Sequence, residues 1–302
     1  MLSITAVERD CGLPKDTLRV WERRYGFPNP DRDANGERIY PDDQVQALRL
    51  LRRLIDAGHR PGKIVGQPLE ALARLASEFH GDARDLTPEA ERLLSLLRAA
   101  DADGLRELLS GMLVRLGLRA FTAELAPVLN QAVGSSWARG ELEIHQEHLF
   151  TEQFTAVLRG AINAARGAGA RHDGPLVLLT TLPQEPHGLG LLMAEAMFIL
   201  AGCRCVSLGV QTPVGAIAAA ARDHRADILA LSFSSLMSAA QAQAGLAELR
   251  ALAPTTVEIW AGGACAGLRE REGVRLIRGL DAVAPAVESW RAGARKGSGA
   301  AA

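Results

Sequence analysis

Pro175-Leu176-Val177-Leu178-Leu179-Thr180-Thr181 is followed after three residues by Glu185-Pro186-His187-Gly188-Leu189-Gly190. The first stretch is a short apolar run, as expected of a strand buried on both faces of a parallel sheet. The second puts a histidine just past the carboxyl end of that strand, where open α/β sheets bind ligands. Glu185 stands two residues before the histidine and can orient its ring. Gly188 and Gly190 let backbone approach something bulky. Taken alone, the stretch is a carboxylate–histidine pair on a glycine loop, and a surface histidine at a helix start is the bland alternative.

The surroundings repeat the pattern of a doubly wound, Rossmann-like parallel sheet. Val177–Thr181, Arg204–Leu208, Ile228–Ser232, Val257–Trp260 and Val274–Ile277 read as strands. Gly188–Ala201, Pro213–His224, Ala239–Ala251 and Leu280–Arg291 read as the intervening helices. This domain spans 174–292, and the small, basic segment 293–302 reads as a disordered tail. Ser232-Phe233-Ser234-Ser235-Leu236 follows the third strand and Gly262-Gly263 the fourth. Turn chemistry explains each of these singly. Together, hydroxyls and glycines at neighbouring strand ends predict a cleft lined by Ser232, Ser234, Leu236, Gly262 and Gly263.

Residues 86–167 read as a four-helix bundle with short connections. Thr87-Pro88-Glu89 is an N-cap with proline at the first helical position. Helices are predicted over Ala90–Ala100, Ala102–Leu116, Arg119–Val133 and Glu141–Ala165. Glu141, His145 and His148 can share a helical face and hold zinc, but nothing nearby completes such a site.

Residues 1–78 read as a winged helix-turn-helix. A helix over Ile4–Cys11, the turn Gly12-Leu13-Pro14 and a second helix over Asp16–Tyr25 come in order, with Lys15, Arg19, Arg23 and Arg24 near one side. Asn35-Gly36 signals a hairpin flanked by Arg32 and Arg38, and a further helix runs from Pro41-Asp42-Asp43 to Ala57 and ends at Gly58. Arginines on a helix are usually a wet face; the ordered combination favours DNA binding.

Composition narrows the class. The 302 residues are 48% hydrophobic and only 4% aromatic, so leucine and alanine do most of the packing. Net charge is −1, which rules out binding polyanions by bulk charge. Cys11, Cys203, Cys205 and Cys265 are scattered and suggest neither a disulfide framework nor a zinc pattern. No signal peptide or transmembrane run is read, so a cytoplasmic protein without a membrane partner is expected.

Glu185, His187, Gly190, Ser234, Leu236, Gly262 and Gly263 together resemble the cobalamin-binding fold of methionine synthase and cobalamin-dependent mutases. That resemblance implies His187 as axial cobalt ligand, with the displaced nucleotide tail in a channel lined by the serine and glycines. The family usually has aspartate at the position of Glu185, and Ser232 competes with Ser234 for the serine role. Trp137 followed after nine residues by Glu147-His148 resembles the CarH/LitR class of light-responsive repressors. There the bundle caps adenosylcobalamin, and the resemblance implies that Trp137, Glu147 and His148 contact the adenosyl group. A histidine follows that tryptophan in the best-known members; here the position is Ala138.

Thr17-Leu18-Arg19-Val20-Trp21-Glu22-Arg23-Arg24-Tyr25-Gly26 with Arg38-Ile39-Tyr40 looks like the MerR winged helix-turn-helix. The resemblance implies DNA contacts from Lys15, Thr17, Arg19, Arg23, Arg24, Tyr25, Arg32, Arg38 and Tyr40, with Leu18 and Trp21 in the core. The expected protein is a non-enzymatic, adenosylcobalamin-dependent repressor. It binds a double-stranded DNA operator as a homo-oligomer, a tetramer in the dark, and is released by light. The alternatives are a regulator sensing haem, redox state or another cobalamin, a corrinoid methyl-transfer module, and a cofactor-free interaction protein.

Overall fold

Ser3 opens the first helix by accepting a hydrogen bond from the Ala6 N–H, and Gly12 closes it in the left-handed region at φ 66°. These local signals start a computed structural model that describes residues 1–33, 36–56, 59–78, 86–138, 140–167, 174–235, 237–265 and 267–299. The elements begin with β1 (Leu2–Ser3), α1 (Ile4–Cys11), α2 (Lys15–Tyr25), β2 (Asp31–Arg32), β3 (Arg38–Tyr40), α3 (Asp42–Asp56), α4 (Pro61–Ile64) and α5 (Leu69–Glu78). The bundle segment follows as α6 (Pro88–Arg98), α7 (Ala102–Ala120), a π-helical stretch Phe121–Leu125, α8 (Ala126–Ala138) and α9 (Ile144–Gly167). Then come β4 (Leu176–Thr180), α10 (Leu189–Leu200), β5 (Arg204–Gly209), α11 (Val214–Asp223), β6 (Ile228–Phe233) and α12 (Ala239–Leu252). The chain closes with β7 (Glu258–Gly263), β8 (Val274–Ile277), a 3-10 turn Leu280–Ala282 and α13 (Val283–Gly299).

The residues form two compact units, Met1–Leu94 with Gln131–Glu147, and Ser95–Asn130 with His148–Ala302. In the first, β1, β3 and β2 make a small antiparallel sheet in that order. The β2–β3 hairpin is the wing; its Gly36 has φ 77°, while Asn35 lies outside the described residues. Val7, Leu18, Trp21, Leu48, Leu51 and Leu54 share one core, so Leu18 and Trp21 are interior as expected. The end of α3 expected at 57–58 lies outside the described residues. Strand β1 and helices α4 and α5 were not foreseen; β1 is two residues long and carries no periodicity of its own.

In the second unit five parallel strands take the order β5-β4-β6-β7-β8. The order reverses beside β4, which makes its carboxyl end a topological switch point. Alternate residues bury on opposite faces. Leu178, Leu229, Phe233 and Ile259 pack with Ile217 of α11 and Leu246 of α12. Val177, Leu179, Ala230 and Trp260 pack with Phe198 of α10 and Val287 of α13.

Three expectations change. One continuous helix was expected over Arg119–Val133, but a π-helical stretch intervenes, with Phe121 stacked on Phe154 at 5.8 Å. The expected break near Gly117 is there as non-helical backbone, φ 74° and ψ 161°. The tail is helical through Gly299, as a continuation of α13, rather than irregular from 293. Helix α9 starts at Ile144, not Glu141, so Glu141 cannot share a helical face with His145 and His148. Among the described residues no cluster of three histidines, cysteines or acids could hold a metal ion, and no helix is long and apolar enough to cross a membrane.

Candidate cofactor-binding site

The loop from β4 to α10 carries the site. Glu185 is 1% exposed, and its carboxylate is the hub. Its Oε1 lies 2.6 Å from His187 Nδ1 and accepts the His187 backbone N–H at 3.1 Å. Its Oε2 accepts the Ser234 backbone N–H at 2.7 Å. Burial alone would raise the Glu185 pKa, but hydrogen bonds from His187 and Ser234 outweigh it and hold the acid below its ordinary range. A carboxylate at that distance makes Nδ1 the protonated nitrogen and leaves the Nε2 lone pair for a ligand. The His187 side chain is 48% exposed, so the imidazole is gripped from behind and open in front.

Ser234 also brings its hydroxyl to 3.2 Å from His187 Nδ1. Of the two serines that compete to line the tail channel, Ser234 thus lies beside the histidine. Ser232 lies elsewhere: a Cβ on Gly190 would sit 2.9 Å from its hydroxyl oxygen. Ser232 pairs across the sheet with Gly262, whose own Cβ would meet the Ile277 carbonyl at 3.0 Å. At the strand ends the Ser232 hydroxyl thus packs closely on Gly190, and the Ile277 carbonyl on Gly262. Gly263 has φ 115°, and a Cβ there would run into the Phe233 carbonyl, so its requirement is backbone packing of β6 on β7. Gly188 faces Val210, 3.2 Å from where its Cβ would be. Leu236 lies outside the described residues.

The cobalt corrinoid that the resemblance implies fits this donor set. An imidazole whose Nδ1 is held by a carboxylate is a good axial ligand for a transition metal. Sequence reasoning missed two residues here, Thr181 and Gln211. Thr181 is fully buried at the strand end, and adjacent threonines closing an apolar run were the available signal.

The expected cap residues lie on the bundle helices. Trp137 is half-buried near the end of α8; Glu147 is half-buried and His148 exposed in the first turns of α9. Trp137 and Glu147 belong to the first unit and His148 to the second. Arg166 in the last turn of helix α9 bonds Glu195 of α10 at 2.5 Å and the Cys205 carbonyl at 3.3 Å. Burial pushes the Cys11 and Cys203 thiols up to about 12.

On the first unit, Arg19, Arg23, Arg24 and Arg32 are exposed and Thr17, Lys15 and Tyr25 half-exposed. Arg24 lies over the Tyr25 ring at 5.2 Å. One expected contact is corrected. Tyr40 is fully buried in the core, with its hydroxyl unpaired, and cannot reach a phosphate from there. Arg38 grips Glu22 of α2 through Nε at 2.9 Å and Nη2 at 3.4 Å, which ties the wing to the basic helix.

Residues 2–66 match the MerR HTH family of regulatory proteins, and 89–159 and 175–289 each match a B12 binding domain. The chain is 33% identical to the HTH-type transcriptional repressor CarH of Myxococcus xanthus over 89% of this chain and 92% of that protein. It is 30% identical to the repressor CarA of the same organism, over 93% of this chain and 91% of that one. Among solved structures, the monomethylamine corrinoid protein of Methanosarcina barkeri matches at TM-score 0.50 and 16% identity, over 65% of this chain and 96% of that one. That likeness is one of fold.

Proposed function

The chain belongs to the family of HTH-type transcriptional repressors that includes CarH and CarA, and on that footing we propose that it is an adenosylcobalamin-dependent light sensor. It holds its operator in the dark and lets go in the light. The observation that carries this reading is the Glu185–His187 pair, 2.6 Å apart at the sheet's switch point.

His187 would hold the cobalt through Nε2, with Glu185 and Ser234 fixing the ring. Gly190, Ser232 and Gly262 would receive the nucleotide tail. Trp137 would give the adenosyl group an aromatic platform, with Glu147 and His148 supplying polar contacts. When bound, the cofactor supplies a cobalt–carbon bond that light breaks. Helix α9 carries His148 near one end and Arg166 at the other, and the Arg166–Glu195 pair ties it to the helix that begins beside His187. A shift at the cap end of α9 is therefore passed to the sheet as movement of one stiff element.

Lys15, Thr17, Arg19, Arg23, Arg24 and Tyr25 would meet the operator from α2, and Arg32 from the wing, while Arg38 sets the wing's angle through Glu22. Several heads of a homo-oligomer on repeated half-sites gain affinity by linkage, and dissociation of the oligomer gives it up. Ala138 offers no imidazole beside Trp137, so the lit state lacks a second histidine from that position.

The test is an absorption spectrum after incubation with adenosylcobalamin in darkness, repeated after green light, with size-exclusion chromatography of both samples. Expected are a bound alkylcobalamin spectrum that changes on illumination and a smaller particle in the light. Stable binding without a change in size would sink the light-driven part, and absence of binding would sink the whole reading.

A further inference from the structure

We propose that Thr181 and Gln211 form a clamp that sets the His187 loop before any ligand arrives, with Thr181 a positioning residue for the imidazole. The inference rests on the reading of His187 as cobalt ligand. Thr181 is fully buried at the carboxyl end of β4, and its hydroxyl is used twice. It donates to the Glu185 carbonyl at 2.6 Å and accepts the Gln211 N–H at 2.8 Å. The Gln211 side chain donates in turn to the Pro183 carbonyl at 3.3 Å. The Thr212 N–H reaches the Thr181 carbonyl at 3.2 Å, and the Glu185 N–H closes the turn on Leu182 at 2.9 Å.

The loop is therefore held from β4 and from the end of β5 together. Its anchor at β5 is strained, since Gln211 adopts φ 58°, a left-handed conformation that a residue with a Cβ rarely takes. That conformation aims the Gln211 N–H at the Thr181 hydroxyl and its side chain at Pro183. Glu185 is thus fixed at its carbonyl by Thr181, at its N–H by Leu182 and at its carboxylate by Ser234. What remains is to present His187. A methyl in place of the Thr181 hydroxyl would fill the same space, so packing alone does not call for the oxygen. Unpinning the Glu185 backbone would let the carboxylate drift from Nδ1, and the ring would lose its tautomer and direction.

The experiment uses the full chain grown with heavy-nitrogen histidine, loaded with cob(II)alamin and read by electron paramagnetic resonance. A coordinated histidine of the protein then splits the lines into doublets, and the cofactor's own base splits them into triplets. In the parent chain the doublet is expected. Thr181→Val should convert a measurable fraction to the triplet or unligated form and weaken cobalamin binding by about tenfold, the low end for residues outside the ligand shell. Thr181→Ser should restore both. Gln211→Gly relieves the positive φ and removes only the Pro183 bond, so it keeps the fold and should show a smaller loss of the doublet. Full doublet and parent affinity in Thr181→Val, or in Gln211→Gly should the valine variant not fold, would overturn the clamp and leave the ligand reading standing. A parent chain without the doublet would overturn both.

Discussion

Glu185 holds His187 at two points, the ring Nδ1 at 2.6 Å and the backbone N–H at 3.1 Å, through one carboxylate oxygen. The other oxygen is spent on Ser234, so an acid at this position must accept everywhere and donate nowhere. That demand separates glutamate from its amide.

Glu185→Gln keeps the size and puts an NH2 where a donor already points. Cobalamin affinity should fall by about 10- to 100-fold, as for other residues that orient a ligating histidine. An absorbance titration measures it, and parent-like affinity would remove Glu185 from the ligand's support.

Trp137→Ala removes the proposed platform and leaves the ligand loop alone. The preference for adenosylcobalamin over methylcobalamin should shrink by about tenfold, the equivalent of roughly 1.4 kcal/mol of lost contact. Competition binding in the dark reads the ratio. An unchanged ratio would count against the cap.

Arg23→Ala and Tyr40→Phe separate surface from core on the DNA-binding unit. The arginine variant should lower the log–log salt slope of operator binding by about 1, as for loss of one phosphate contact. The phenylalanine variant removes a buried hydroxyl with no partner and should raise thermal stability by about 1 kcal/mol, with DNA affinity unchanged. Weaker DNA binding by Tyr40→Phe would reinstate Tyr40 as a contact.

Asp10 pairs with Arg49 at 2.7 Å, and the hydrogen bond from that guanidinium holds its pKa below the ordinary 3.8. A folded-state pKa lowered relative to the unfolded chain gives stability that is complete above about 3.8 and is lost as pH falls through the lower folded value. Thermal midpoints of the parent chain should drop over that acidic window, and Asp10→Asn should flatten the drop while lowering the midpoint at neutral pH. Parallel curves would mean that the pair contributes nothing to acid sensitivity.

The sheet was legible because its strands are short, largely apolar runs separated by helical stretches. Val274–Ile277 coincides with its predicted span, and Arg204–Gly209 overshoots it by one residue. The helix over Ile4–Cys11 was fixed by its own cap signals. The π-helical stretch at Phe121–Leu125 was not legible, because it answers to how Phe121 meets Phe154, 33 positions away in the chain. Arg38 and Tyr40 look alike in a basic wing motif. Only the packed unit sends one to Glu22 and the other into the core.

By itself the sequence determined which residue types meet at the sheet's carboxyl edge: an acid, a histidine, hydroxyls and glycines, each following a strand. Strand periodicity and turn chemistry are local properties, so local reading was enough. Which serine serves the histidine was decided only by tertiary structure. The β6–β7 ladder pairs Ser232 with Gly262 and Phe233 with Gly263 and then stops. Ser234 is the first residue past the strand, and its N–H turns to the buried carboxylate of Glu185, 49 positions away. Ser232, still inside the strand, spends its position against Gly190. Where a ladder ends depends on the partner strand, and no single stretch of sequence encodes that.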